Sequence, residues 1–327
     1  MGNSNLNKAK GAKKDEFYTS LHDIEQELKH YKDFFRGKRI YCPCDDARWS
    51  NFWWYFVTNF NHLGLKSLDA SCFHADQHGE HWHYEGEAPN DILRNCAWHK
   101  NRSLMFDFCD YEVFEDDGGF QYRDDLFADA DVIVTNPPFS LFRDFTDKIM
   151  AAKKDFVIWG NINAIKYKNI FPFTKTGVIK PGYLFNTVCT FRIPDDYDEW
   201  DEKATAEMDD GNHYAKVPMI ATFTNLDIKK YHTRTEYYER YSPEKYPRYD
   251  NYDAIEVQKS KLVPCDYTGV MGVPITFFSQ YCVEQFEIID KVSNAKLNGV
   301  NKYDRILIRW KPEAMPRINE KGVIIYD

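Results

Sequence analysis

Asn136-Pro137-Pro138-Phe139 joins a carboxamide, two rigid prolines and an aromatic ring directly after the apolar run Asp131-Val-Ile-Val-Thr135. The chemistry open to such a loop is recognition of an amino group. A side-chain carboxamide oxygen beside a stiff backbone carbonyl offers two acceptors to one NH2, and the next ring offers a stacking face. A planar, NH2-bearing substrate such as adenine suits that combination. The same tetrapeptide also reads as a plain turn, because Asn and Pro mark turns generally. Context separates the two. Val132, Ile133 and Val134 are β-branched and predict a strand buried on both faces of a parallel sheet. The prolines then block strand pairing and helix alike, so the chain leaves the sheet as a stiff loop. Ser140-Leu-Phe-Arg-Asp-Phe145 predicts a helix after it. Asn136 is thereby set at the carboxyl end of a strand, where open α/β sheets bind their ligands.

Other clusters carry less distinctive chemistry. Cys44-Asp45-Asp46 follows a predicted strand, Arg39-Ile-Tyr-Cys-Pro-Cys44, and its carboxylates could hold an ammonium or ribose hydroxyls. Taken alone, Asp45-Asp46 is a capping pair ahead of a helix. Asp15-Glu16-Phe17-Tyr18-Thr19 reads either as a helix-capping segment with a hydrophobic staple or as an aromatic flap over a cofactor. Neither G-x-G-x-x-G nor a Walker-type loop follows the first strand, so the usual phosphate cradles are missing. A cofactor with adenosine, an amino acid and no phosphate fits that absence. Cys72, His74, His78, His81, His83, Cys96 and His99 are metal-type residues, but they lack the paired spacing of a zinc module. A polar loop with scattered histidines is the expectation there, with no metal. No nucleophile elbow is present.

The elements that must position these groups can be read from periodicity. Leu21, Ile24, Leu28, Tyr31 and Phe35 recur at helical steps, and Asn51–Leu63 predicts a further helix. Strands are expected at Ser67–Phe73, Arg102–Phe108, Asp131–Thr135, Asp155–Gly160, Thr187–Ile193 and Met219–Thr224. Strands alternating with helices, then a closing antiparallel pair, give a doubly wound α/β sheet. Three parts are expected: a flexible segment 1–14, a catalytic domain 15–228 and a smaller region 229–327.

Bulk composition narrows the class. The chain has 327 residues, 43% hydrophobic and 17% aromatic, enough for a sizeable core. No apolar stretch reaches membrane-spanning length, and the lysine-bearing start is not a signal peptide. Eight cysteines in a chain of this size suggest reduced thiols and a cytoplasmic protein. The net charge of −9 argues against an indiscriminate nucleic-acid binder but permits a local basic face. Two basic stretches stand out. Lys13 and Lys14 close the first. Lys229, Lys230, Arg234, Arg240 and Arg248 lie in a second one rich in tyrosine, which reads as solvated surface or as a nucleic-acid contact. An acidic block, Asp195 to Asp210, is expected to be a solvated loop.

Taken together these blocks resemble the EcoRI-type family of adenine-specific DNA methyltransferases. The resemblance rests on Lys14-Asp-Glu-Phe-Tyr-Thr19, Tyr41-Cys-Pro-Cys-Asp-Asp46, Asp131 to Arg143, Thr222-Phe-Thr-Asn-Leu-Asp227, Tyr249 to Ile255, Gly269 to Thr276 and Gln285-Phe-Glu-Ile-Ile289, in that order. It implies a seven-stranded Rossmann-like sheet using S-adenosylmethionine, with a C-terminal target-recognition region. It also implies methyl transfer to the N6 of an adenine flipped out of duplex DNA. Asn136 and the Pro137 carbonyl would accept the N6 hydrogens, with Pro138 stiffening the loop and Phe139 stacking on the base. Phe17, Tyr18, Thr19, Cys44, Asp45, Asp46 and Asn136 would line the cofactor pocket. The basic residues above would touch DNA. A monomer is expected, with a restriction endonuclease of the same specificity as possible partner.

The chain departs from the family in two places. Ala47 stands where Pro is common after Cys-Asp-Asp, and Gly118-Gly-Phe120 replaces a Gly-Asp-Phe. A further cofactor-side acid would then be Asp107, Asp110 or Asp117. Two other functions stay open on sequence alone. One is methylation of a protein glutamine amide, which uses a similar loop. The other is a non-catalytic decoy that binds DNA sites or a protein.

Overall fold

The computed structural model describes residues 18–73, 78–97, 102–115, 123–192, 205–207 and 213–326. Lys13, Lys14, Phe17 and Asp117 lie outside them, as does the acidic block apart from Thr205–Glu207. Two compact units are present. One takes the described residues up to Asn161 together with Gly182–Leu226, and the other takes Ile162–Pro181 and the residues from Asp227. The second unit therefore includes a segment that lies inside the span 15–228.

The first unit is built on one large mixed sheet. Its strands are β1 (Tyr18–Thr19), β2 (Arg39–Pro43), β3 (Ser67–Phe73), β4 (His78–Tyr84), β5 (Asp110–Glu115), β6 (Val132–Thr135), β7 (Asp155–Asn161), β8 (Lys180–Arg192), β9 (Thr205–Glu207) and β10 (His213–Thr224). Their order is β1-β8-β10-β7-β6-β2-β3-β4-β5, with β9 on β10. The centre is parallel: β2 pairs with β3 and β6, and β6 with β7. Both flanks turn antiparallel, through β10 on β7 and through β4 and β5 beside β3. Ten strands among the described residues replace the expected seven. The additions are mostly edge strands, whose short or polar sequences carry little periodicity.

Helices cover this sheet. They are α1 (Leu21–Leu28), α2 (Lys32–Phe35), α3 (Asn51–Leu63), α4 (Asn90–Ala97), α5 (Asp124–Asp129) and α6 (Phe142–Ala152). Helix α3 is apolar almost all round, and a helix of that kind must be buried. Phe52, Trp53, Trp54, Tyr55, Phe56, Val57, Phe60 and Leu63 are all buried. Gly64 ends it in a left-handed conformation, φ 66°, that glycine adopts without Cβ strain. The stripe Ile24, Leu28, Tyr31 and Phe35 is buried as its spacing predicts, but it spans two helices rather than one. The chain turns between them, where His30 stacks on Tyr183 with ring centres 3.8 Å apart.

Two further expectations fail. Arg102–Phe108 is a 3-10 turn, not a strand, with only Met105 buried along it. His78–Tyr84, expected as a polar loop, is strand β4. Its histidines hid the signal, because here imidazoles bonded to carboxylates occupy positions where apolar residues would normally mark a strand.

One buried polar cluster ties α1 to the sheet. Glu27 is fully buried and accepts hydrogen bonds from the Tyr31 hydroxyl (2.6 Å) and the amides of Tyr183 (3.0 Å) and Leu184 (2.5 Å). Gly182 leaves room for it, since a Cβ there would lie 2.1 Å from Glu27 Oε1 and 2.2 Å from Thr222 Oγ1.

The second unit holds its own core. Strands β11 (Ile255–Glu256), β12 (Met271–Val273), β13 (Phe286–Val292) and β16 (Arg305–Trp310) form a sheet ordered β11-β12-β16-β13, with a small hairpin of β14 (Lys296–Leu297) and β15 (Val300–Asn301). Tyr237 packs edge-on against Phe286 and Trp310, each with ring centres 5.6 Å apart. Arg305 and Glu256 form a buried ion pair at 2.6 Å. Among the described residues no helix is long and apolar enough to cross a membrane.

Candidate active site

Strands β2 and β6 lie side by side and parallel, with Ile40 opposite Val132 and Tyr41 opposite Ile133. From β2 the sheet proceeds to β3 on one side, while β6 and β7 lie on the other. The winding direction reverses between β2 and β6, so their carboxyl ends splay to form the crevice in which sheets of this kind bind ligands. Cys44-Asp45 emerges from one strand and Asn136-Pro137-Pro138 from the other. Both sequence-derived segments therefore meet at one place.

A cleft opens there, lined by Tyr18, Thr19, Cys44, Asp45, Ser50, Asn51, Phe52, Asn136 and Pro138. It holds about 350 Å³ of space free of atoms, open solvent at the mouth included. Asn136 is half-buried, while Pro137 and Pro138 are buried and fix the loop.

Asp45 is the best-supported group in the cleft. It is 4% exposed, yet each carboxylate oxygen receives a hydroxyl. Ser50 Oγ donates to Oδ1 at 2.6 Å and Thr135 Oγ1 to Oδ2 at 2.7 Å. Ser50 is also the N-cap of α3, accepting from the amides of Phe52 (3.1 Å) and Trp53 (3.4 Å). Thr135 ends β6 immediately before Asn136. One carboxylate thus locks the start of α3 and the end of β6 together. Cys44, just before it, takes a left-handed φ of 63°, which turns the chain sharply out of β2.

The remaining wall comes from β1. Asn51 Nδ2 donates to the Thr19 carbonyl at 2.8 Å, and Arg102 in turn donates to Asn51 Oδ1 at 2.9 Å. Tyr18 and Thr19 pair with Arg192 and Phe191 of β8. Thr19 is 1% exposed, and its hydroxyl oxygen is buried with no hydrogen-bond partner among the described residues. Buried hydroxyls normally find partners. An orphan facing a cleft is a place for a ligand's polar group.

Not every expected residue reaches the cleft. Asp46 is buried but turns away, accepting from the Arg48 amide (2.9 Å) and guanidinium (2.8 Å). Asp45-Asp46 does not cap α3, which uses Ser50. Phe139 is half-buried and does not line the cleft, with its ring edge-on to Phe191 and centres 6.5 Å apart. Asp107 and Asp110 are exposed and do not line it either. Sequence reasoning missed Ser50, Asn51, Phe52 and Thr135. The signal for Ser50 was there: a serine directly ahead of an apolar helix is the commonest N-cap.

In the second unit, Lys229, Arg234, Arg240 and Arg248 are exposed and Lys230 half-buried. Arg240 pairs with Asp266 at 3.3 Å and Arg248 with Asp253 at 2.5 Å. The tyrosines between them are mostly core: Tyr231, Tyr237, Tyr246 and Tyr249 are buried. Stacking on nucleic-acid bases is thus closed to those four, whereas Tyr238 is 62% exposed.

Comparison with known proteins gives a consistent result. The family model described as "Adenine-specific methyltransferase EcoRI" matches residues 5–326. The Type II methyltransferase M.EcoRI of Escherichia coli is 40% identical over 324 residues, covering 94% of this chain and 97% of that protein. M.MgeORF184P of Mycoplasma genitalium is 34% identical, covering 93% and 98%. M.MpnI of Mycoplasma pneumoniae is 35% identical, covering 88% and 86%. No solved structure matches.

Proposed function

Because the chain belongs to the EcoRI family of adenine-specific methyltransferases, we propose that it methylates the N6 amino group of adenine within a specific duplex DNA sequence, using S-adenosylmethionine. One observation carries this: Asn136 and Pro138 share a cleft with Asp45 and Thr19, at the point where the sheet reverses its winding. The protein-glutamine and decoy alternatives are not favoured, since the matched family is adenine-specific over nearly the whole chain.

The cleft fits the cofactor in three respects. Asp45 supplies a fixed negative charge for an ammonium group. The Thr19 hydroxyl supplies an unused hydrogen-bonding group. No glycine-rich phosphate loop is present, and none is needed. Tyr18, Thr19, Cys44, Asp45, Asn51 and Phe52 would hold the cofactor, which supplies an activated methyl group. Phe17 would extend that wall.

The chain's own part is orientation and electrostatics. The Asn136 side-chain oxygen and the Pro137 carbonyl accept the two N6 hydrogens, which raises lone-pair character on nitrogen. Pro137 and Pro138 hold these acceptors still, so little ordering entropy is spent on binding. Phe139 swings from its resting contact with Phe191 to stack on the extruded base. The product ammonium sheds its proton to water without a dedicated base.

Outside the cleft, the C-terminal part from Lys229 carries target recognition, with Lys229, Lys230, Arg234, Arg240 and Arg248 at the phosphates. Lys13 and Lys14 add contacts at the other end of the chain. Residues 15–228 would carry catalysis. The protein acts as a monomer, and an endonuclease cutting the same unmethylated sequence is its natural partner.

Incubation with labelled S-adenosylmethionine and duplex DNA, followed by digestion to nucleosides, should yield N6-methyladenine. Label found only in cytosine or in protein would exclude the assignment.

A further inference from the structure

On the sheet of the first unit, Asp69, His81 and His83 converge. Asp69 of β3 sits directly opposite His83 of β4, and His81 lies two residues along on the same face of β4. Asp69 Oδ1 is 2.9 Å from His81 Nε2 and 2.8 Å from His83 Nδ1. All three ligand atoms lie within 4.8 Å of one another. Each histidine turns its other ring nitrogen to a further carboxylate. His81 Nδ1 is 2.9 Å from Glu112 Oε1 on β5, and His83 Nε2 is 3.3 Å from Glu85 Oε1. The Arg123 guanidinium in turn holds Glu112.

From this arrangement we propose that Asp69, His81 and His83 form a binding site for a divalent transition-metal ion of the zinc class, clamping β3 to β4 at the sheet's antiparallel flank. Two imidazole nitrogens and one carboxylate oxygen are the donor set that such ions take, at about 2.0–2.2 Å. A tetrahedral ion at those bond lengths needs its ligand atoms roughly 3.3 Å apart. The two Asp69–histidine spacings require an outward shift of only about half an ångström, and the two imidazole nitrogens lie within 4.8 Å of each other. The outer carboxylates are the second feature that distinguishes a metal site from a chance cluster. Metal-bound histidines characteristically donate their remaining N–H to a carboxylate, which fixes the ring and raises its basicity. Here both do. Side-chain exposures of 15% for Asp69, 11% for His81 and 27% for His83 leave the fourth position open to water.

The neighbouring group of Asp46, Cys72 and Glu80 makes an instructive contrast. Its ligand atoms are equally close, but the Arg48 guanidinium lies between Asp46 and Glu80 and pairs with both. A resident cation already occupies that position. Asp69 is paired instead with the two imidazoles themselves, whose nitrogens must be free of protons to take an ion.

The test uses the full chain, stripped with a chelator and dialysed. Zinc and then cobalt are titrated in, with metal counted after gel filtration and cobalt followed by its visible absorption. One equivalent retained per chain, a tetrahedral cobalt spectrum and a raised melting temperature are expected. His83→Gln, the most exposed ligand and the least risk to folding, should abolish retention, and Asp69→Asn should do the same. Glu112→Gln should weaken affinity by about tenfold while leaving the ligands in place. His62→Gln, a histidine elsewhere on the surface, should bind as the parent does. Failure to retain one equivalent would overturn the proposal, as would full retention in folded His83→Gln. Metal binding is read independently of methylation, so the outcome stands whether or not the adenine assignment holds.

Discussion

Replacing Thr135 by valine tests the connection between the two strand ends that build the cleft. Thr135 is fully buried, and its single hydroxyl proton is shared between Asp45 Oδ2, at 2.7 Å, and the Pro43 carbonyl. Valine keeps the shape and the β-branching that a central strand favours, so packing is preserved. What is lost is a hydrogen bond to a charged acceptor, worth about 1.5–3 kcal/mol. In a domain of this size that should lower the melting temperature by roughly 3–12 °C. If Asp45 holds the cofactor's ammonium, loosening its carboxylate should also raise the Kd for S-adenosylmethionine. Expressed wholly in binding, the same energy is about ten- to hundredfold. Calorimetric titration with the cofactor reads this directly, and scanning calorimetry reads the stability. A variant that melts lower but binds cofactor as tightly as the parent would refute the role of Asp45 and leave it a structural strut.

Further outcomes follow from the same geometry. Asn136→Ala should lower kcat by at least about a hundredfold, in line with loss of a group acting on developing charge, with cofactor affinity changed far less; single-turnover methylation measures the first and titration the second. Ser50→Ala removes both the α3 cap and a donor to Asp45, so its stability loss should exceed the ~1 kcal/mol of a cap alone, as read by urea unfolding. Gly182→Ala should destabilise by roughly 1–3 kcal/mol, because the new methyl meets Glu27 and Thr222 at about 2 Å. Burial pushes the Glu27 carboxyl above its usual range, so its contribution to stability is complete below about pH 4.5 and falls as pH rises through the raised value. Glu27→Gln should flatten that slope in pH-dependent unfolding, while costing stability because an NH2 then faces backbone donors.

The central layers of the fold were legible because their residues obey simple periodicities. Val132–Val134 and Phe156–Trp159 are short apolar runs, and both are fully buried strands, the first parallel to both neighbours and the second parallel to β6 and antiparallel to β10. Leu21 to Phe35 gave the right buried stripe but not the break, since periodicity reports which face is covered and not whether the backbone turns between two helices. Strand β4 was hidden because its interior positions are filled by His81 and Glu80, polar groups whose partners Glu112 and Tyr111 come from a strand 31 residues away in sequence. The mutual proximity of Asn136 and Asp45 could be anticipated from two strand ends. Ser50 was legible as the cap of α3, but its bond to Asp45 was not, nor was that of Thr135, because only the third dimension brings the carboxylate between them.

The wall formed by β1 has a consequence for turnover. It is two residues long, hangs on the margin of β8 and is fastened to α3 through the amide of Asn51. The parallel centre of the sheet owes nothing to it. A molecule held in the cleft therefore has one wall, Tyr18–Thr19, that can part from its neighbours at the expense of a few edge bonds and without disturbing the parallel strand ends.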